Sequence, residues 1–235
     1  MLESLREQFD RVVVFDTETT GVRHQSDEII EVGILCASFD AAGPEPEMED
    51  DLLIRLSPGR TLPPFIVNLT GITDEMLREN GVEKDAACRR LLEFLDGDRT
   101  LLVAYNAQFD LCFLYYFLQR FGCAGALHGV RMLDAMTVYK DRRPYPHKLQ
   151  NAIDAYGLLT QNTHRAVDDA RATLELLYAM AEERDDLGRY VNLFGFNPKY
   201  GAPKPRIASI RYVPQGYQET QPLYEKAAEP AAAGT

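Results

Sequence analysis

The run Val12-Val13-Val14-Phe15 leads without a break into Asp16-Thr17-Glu18-Thr19-Thr20-Gly21. Four β-branched or aromatic residues, stopped by polar residues and a glycine, read as a central strand buried on both faces. Side chains alternate along a strand, so Asp16 and Glu18 leave one face and Thr17 the other. Two acids at the end of a buried strand repel each other and lose solvation. A cation resting on both offsets that cost, and oxygen ligands of this kind suit Mg2+ or Mn2+. Taken alone, the pair fits equally well a strand end whose acids simply reach solvent. Any further ligands have to come from elsewhere in the chain.

The flanking segments supply the neighbours such a strand needs. Glu28–Phe39 and Leu52–Leu56 read as strands that form an antiparallel meander with it, joined by an acidic loop over Asp40–Asp51 that holds Gly43, Pro44 and Pro46. Pro63 and Pro64 mark a turn, and Thr73 is a good N-cap for a helix starting at Asp74. Glu83–Leu95 is amphipathic and stops at Gly97. Thr100–Tyr105 is a fourth strand, Ala107–Phe121 a helix apolar nearly all round, and Val130–Leu133 a short fifth strand. Ala135–Lys140, Lys148–Tyr156 and Arg165–Arg184 read as helices. Strands alternating with helices after Thr100 imply parallel pairing through crossovers. The expected class is therefore α/β, a five-stranded mixed sheet flanked by helices.

Beyond Asp186, Pro198, Pro203, Pro205 and Pro214 break up any helix, and only Arg206–Val213 reads as a strand. Gly216–Thr235 has little apolar content and is expected to be mobile. The reading divides the chain into a domain over 1–185 and an irregular C-terminal extension over 186–235.

A formal net charge of -11 argues against a general nucleic-acid coat protein. It does not exclude a nuclease, whose acids are neutralised when cations bind. Cys36, Cys88, Cys112 and Cys123 lie in apolar stretches without a Cys-x-x-Cys pair, which fits reduced thiols in a cytoplasmic protein. Met1–Asp10 is charged and no apolar run is long enough to span a bilayer, so no membrane partner is expected.

Three further positions stand out. Asp110 sits in the first turns of a helix among Phe109, Leu111, Cys112 and Phe113, where a carboxylate needs a partner; a helix-dipole acid is the simpler alternative. On the Arg165–Arg184 helix the apolar stripe runs through Val167, Ala170, Leu174, Leu177 and Ala181. At about 100° per residue, Asp169 lies on the flank of that stripe and can face the sheet, while Asp168 lies nearly opposite. His164 stands just before this helix, close to the candidate ligand Asp169, in a loop where an imidazole can accept a proton.

Phe15-Asp-Thr-Glu-Thr-Thr-Gly21, Asn106-Ala-Gln-Phe-Asp110 and His164-x4-Asp169-Ala170 together resemble the three exonuclease motifs of the DnaQ-like, DEDD-h family. That family includes the epsilon proofreading subunit of bacterial DNA polymerase III and related stand-alone exonucleases. Leu69-Thr-Gly-Ile-Thr73 also resembles the family's segment beside the terminal nucleotide, and the likeness spans about residues 10–184. A histidine at 164, rather than a tyrosine, implies the histidine subgroup.

The resemblance implies a ribonuclease H-like sheet holding two divalent cations, Mg2+ or Mn2+, on Asp16, Glu18, Asp110 and Asp169, with Asp16 touching both. It implies His164 as the acceptor of the attacking water's proton, and nucleoside 5′-monophosphates released from a 3′ end. Two cations about 4 Å apart suit that hydrolysis, one acidifying the water and the other stabilising the leaving oxygen. Leu69 and Phe109 are candidates to pack on the terminal base, and backbone around Thr17, Thr19, Thr70, Gly71 and Asn106 to meet sugar and phosphate. The Lys140–Lys148 stretch, with Arg142, Arg143 and Tyr145, reads either as a track for the strand's phosphates or as a solvated loop.

The expected substrate is the 3′ end of single-stranded or frayed DNA, in replication proofreading or repair, with a DNA polymerase as a candidate partner. Other readings remain. RNA 3′-end trimming uses the same motifs. An aspartyl-phosphate-type phosphatase would match Asp16-x-x-x-Thr20 but wants an aspartate where Glu18 stands. A binding module with a dead site leaves the complete acid set unexplained.

Overall fold

The computed structural model describes residues 2–39, 45–95, 97, 99–217 and 221–228, and its first element is the short helix α1 (Glu3–Arg6). Strand β1 (Arg11–Thr19) lies in the middle of a five-stranded sheet. On one side it pairs antiparallel with β2 (Ile29–Ser38), which pairs antiparallel with β3 (Met48–Leu53). On the other it pairs in parallel with β4 (Thr100–Ala104), and β4 pairs in parallel with β5 (Arg131–Asp134). The sheet order is β3-β2-β1-β4-β5. The meander and the crossovers are as the pattern predicts.

Both faces of the sheet are covered, which is why β1 is apolar on each side. Val12 and Val14 belong to a core layer with Leu35, Val103 and Leu133 beneath α8 (Ala166–Glu183), whose Ala170, Leu174 and Leu177 are fully buried. Helices α6 (Ala135–Arg142) and α7 (Leu149–Tyr156) complete this layer. Val13 and Phe15 belong to the opposite layer, under α4 (Lys84–Leu95) and α5 (Ala107–Gln119), with Leu91, Phe94, Leu111 and Leu114. The end of β1 thus has a helix start near it on each side of the sheet.

Two local readings change. Pro63 and Pro64 do not form a simple turn: Pro64 opens helix α2 (Pro64–Thr70), followed by α3 (Asp74–Asn80) with Thr73 as its N-cap. Proline suits a first helical position, since its fixed φ is helical and that N–H has no intrahelical partner. Strand β3 begins earlier than its sequence suggests and stops at Leu53. As an edge strand it tolerates acids, and those acids are matched from other elements: Asp50 accepts from Arg90 at 2.8 Å and Glu49 pairs with Arg171.

Among its described residues the extension contains two strands rather than one. β6 (Leu193–Phe196) and β7 (Arg211–Pro214) pair in parallel, separated by a proline-rich loop. Asn192 covers the outer edge of β5: its N–H donates to the Met132 carbonyl and its side-chain oxygen accepts from the Met132 N–H, both at 2.7 Å. Further on, α9 (Leu223–Ala228) buries Leu223, whose N–H donates to Asp141 at 2.6 Å. Much of the remaining 216–235 segment, 218–220 and 229–235, lies outside the described residues. The four cysteines are free, with Cys123 half-buried and the others buried. Among the described residues no helix is long and apolar enough to cross a membrane.

Candidate active site

The alternation along β1 builds the site. Asp16 and Glu18 continue the row of Val12 and Val14 and face α8, while Thr17 continues the row of Val13 and Phe15 and faces α5. The β1–β2 ladder shifts register between Glu18 and Thr19, so regular pairing ends at the acids.

Asp169 comes from the first turn of α8. It is 5% exposed and accepts an N–H from Thr163 at 3.2 Å. Its neighbour Asp168 is only partly buried and accepts the Thr163 hydroxyl at 2.6 Å, so the two adjacent acids separate as the helical angle requires. His164 is exposed and takes a left-handed backbone conformation, φ +57°. One donor atom each from Glu18, His164 and Asp169 lie within 4.8 Å of one another, close enough to share one cation.

Asp110 reaches the site from the other side of the sheet. It is 2% exposed, and Thr17 donates its hydroxyl to it at 2.7 Å. The two-residue period of β1 therefore serves both halves of the site: even positions carry carboxylates, and the odd one holds a third carboxylate in place.

Four acids crowded here are hard to ionise. Burial first, then Asp110, Asp169 and Glu18, hold Asp16 well above the usual carboxylate range. Glu18 is pushed up to about 8 by burial, then by Asp169, Glu31 and Asp110, with Arg165 opposing. Asp110 and Asp169 each rise to about 7, again chiefly through burial. The Thr17 hydroxyl pulls Asp110 back down, and the Thr163 N–H does the same for Asp169. A set of carboxylates that repel one another and lack solvent fits a divalent cation, which would relieve both penalties at once.

The remaining candidates occupy varied places. Thr19 is buried and donates its hydroxyl to the Gly21 carbonyl at 2.6 Å. Leu69 is half-buried near the end of α2, Thr70 donates inward to the Ile66 carbonyl, and Gly71 ends the helix at φ +72° with open space beside its Cα. Asn106 is exposed at φ +64° just before α5, and Phe109 is half-buried with its ring 5.0 Å from that of Phe113. Within the Lys140–Lys148 stretch, two of the cations are engaged by acids of the chain. Arg142 is 2% exposed at its side chain and pairs with Asp186 at 2.6 Å, and Arg143 pairs with Glu183 at 2.8 Å. Glu183 ends α8, roughly 20 Å along the helix from Asp169 at 1.5 Å per residue.

Sequence reasoning missed two supporting acids. Asp134, 3% exposed, accepts the Ala107 N–H at 3.1 Å and the Thr137 hydroxyl at 2.6 Å, tying the end of β5 to the start of α5. Glu31, fully buried on β2, holds Arg165 and the Ala166 N–H at the start of α8. The one available signal was an acid inside an otherwise apolar strand.

A mixed sheet whose central strand ends in two acids, with acids from flanking helices converging on them, defines the class of ribonuclease H-like nucleases. The sequence pattern of the RNase T family, described as Exonuclease, matches residues 13–177. The chain belongs to that family and is a 3′–5′ exonuclease of its DnaQ-like group. It is 35% identical over 188 residues to the DNA polymerase III subunit epsilon of Treponema pallidum, covering 76% of this chain and 80% of that protein. It is 30% identical over 177 residues to the DNA polymerase III PolC-type of Caldanaerobacter subterraneus, covering 75% of this chain but only 12% of that one. Its fold matches the zinc-bound E. coli ExoI–ssDNA complex with a TM-score of 0.68 at 20% identity, over 78% of this chain and 43% of the other.

Proposed function

We propose that this exonuclease removes nucleoside 5′-monophosphates from the 3′ end of single-stranded or frayed DNA, in replication proofreading or repair. The observation that carries the reading is the convergence of Asp16, Glu18, Asp110 and Asp169 from both faces of one sheet, with an exposed histidine at their edge. The polymerase III names of the relatives and the single-stranded DNA in the similar ExoI structure support a DNA substrate and a polymerase partner. A cytoplasmic location follows from that role. We assign catalysis to residues 1–185, consistent with the span of the family match, and treat 186–235 as an extension whose described residues include Asn192 and Leu223 bonded to the domain.

In this reading Asp16, Glu18, Asp110 and Asp169 hold two divalent cations, Mg2+ or Mn2+. Such cations supply Lewis acidity toward water and toward the phosphodiester oxygens. The chain's own residues do the rest. Thr17 fixes the Asp110 carboxylate through its hydroxyl. His164, exposed beside Glu18 and Asp169, accepts the proton of the attacking water on a ring nitrogen. Leu69 and Phe109 offer apolar surface to the terminal base, and the backbone around Thr17, Thr19, Thr70, Gly71 and Asn106 offers donors to sugar and phosphate.

The test is degradation of a 5′-labelled single-stranded DNA and its RNA counterpart with Mg2+ or Mn2+. The expected result is a ladder shortening from the 3′ end of DNA, and no ladder from Asp16→Ala. Trimming of RNA alone would reassign the substrate. Phosphate release from a phosphomonoester without any ladder would overturn the reading.

A further inference from the structure

The site is split between elements: Glu18 stands on β1, while His164 and Asp169 flank the start of α8. Their spacing depends on how the first turn of α8 is held against the sheet. That contact is made by Glu31, which lies on β2 directly opposite Glu18 in the ladder. Glu31 is fully buried, and its two oxygens take three donors. One accepts Nε and Nη2 of Arg165 at 2.8 and 2.5 Å; the other accepts the Ala166 N–H at 2.7 Å. Arg165 also donates to Asp51 on β3 at 3.1 Å, so its guanidinium spans two strands.

Arg165 joins the two site residues that flank the helix start. It directly follows His164, and its carbonyl accepts the Asp169 N–H at 3.0 Å. A second feature presses the same turn onto the same strand. A Cβ on Gly33, two residues along β2, would lie 2.2 Å from backbone atoms of Ala166 and Val167. Glycine is what lets the helix start approach this closely.

We propose that Glu31 and Arg165 are positioning residues, a clamp that sets the distance from Glu18 to the His164–Asp169 pair and thereby the affinity of the site for a divalent cation. This rests on reading the acids as a metal site. The guanidinium fork suits the role because two N–H groups meet one carboxylate at a fixed angle, which a lysine cannot do. Partners that orient metal ligands typically change metal affinity by about 10–100-fold when removed. A buried ion pair that only stabilises the fold would lower the melting temperature and leave metal affinity alone.

Mn2+ affinity separates the two roles. Free Mn2+ is titrated by electron paramagnetic resonance against wild type, Arg165→Met, Arg165→Lys, Glu31→Gln and the Glu31→Gln/Arg165→Met double variant. Melting of the metal-free proteins is recorded alongside. Arg165→Met and Glu31→Gln are each expected to weaken Mn2+ binding by about 10–100-fold, with Arg165→Lys between them and wild type. The double variant is expected to be no weaker than the worse single one, because either change opens the same clamp. Arg165→Lys, which keeps the charge, carries the comparison should Arg165→Met not fold. Wild-type affinity in the folded variants, or losses that multiply in the double variant, would overturn the clamp. Absence of Mn2+ binding by wild type would instead strike the metal-site reading itself.

Discussion

Asp110→Asn tests the electrostatics of the site without testing catalysis. Asp110 is 2% exposed, and its carboxyl is raised from an ordinary aspartate value to about 7. In the unfolded chain it ionises near pH 4. Between those values the folded, metal-free protein holds the proton that the unfolded chain has lost. The associated stability is therefore fully present below about pH 4 and disappears as the pH rises through about 7. A shift of roughly 3 units corresponds to about 4 kcal/mol at 1.36 kcal/mol per unit. An asparagine keeps an acceptor for the Thr17 hydroxyl but meets the backbone donors less well, which we take to halve the gain to about 2 kcal/mol. In EDTA, Asp110→Asn should thus be less stable to urea than wild type by about 1 kcal/mol near pH 4.5, where the amide's cost of about 2 kcal/mol already applies but wild type has lost only about 1 kcal/mol to ionisation. At pH 8.5 it should be more stable by about 2 kcal/mol. Saturating Mn2+ should erase or reverse the order, since wild type gains RT ln(1 + [L]/Kd), about 2.7 kcal/mol at a hundredfold excess over Kd. Stability curves that stay parallel from pH 4.5 to 8.5 would refute the claim that burial of ionised carboxylates strains the metal-free site.

Gly33→Ala should lower stability by about 1–3 kcal/mol, the usual cost of overpacking, because the added carbon meets backbone at 2.2 Å; thermal unfolding checks this, and an unchanged melting temperature would contradict the close approach. Asp169→Ala should reduce single-stranded DNA degradation by more than about 100-fold, beyond the loss expected for an outer partner. Asp168→Ala should stay within about threefold of wild type, since an exposed-face change is worth only about 0.5 kcal/mol. An inactive Asp168→Ala beside an active Asp169→Ala would reverse the assignment of faces on α8.

Where local periodicity governs, the sequence was readable. The two-residue period of β1 placed Asp16 and Glu18 on one face and Thr17 on the other, and the observed core layers have that arrangement. The 100° step of α8 separated Asp169 from Asp168, and one is buried while the other is half-exposed. Readings failed where a residue's role depended on something distant in the chain. The acids of β3 read as loop because Arg90 and Arg171, which match them, lie far downstream. Arg142 and Arg143 stayed undecided between a phosphate track and a solvated loop because nothing local reveals Glu183 and Asp186 as their partners. The proline-rich extension hid β6, whose strand pairing closes only with β7.

For the site itself, the chain alone singled out the candidate side chains and determined which way each leaves its own element. Geometry within one strand or one helix follows from backbone dihedrals, and those are local. Tertiary structure decided how the elements meet. Thr17 reaches Asp110 across 93 positions and Arg165 reaches Glu31 across 134, and both contacts form only when helices close over opposite faces of the sheet. A periodic pattern states that a residue points inward; only packing states what it points at, because the partner is chosen by the fold and not by spacing along the chain.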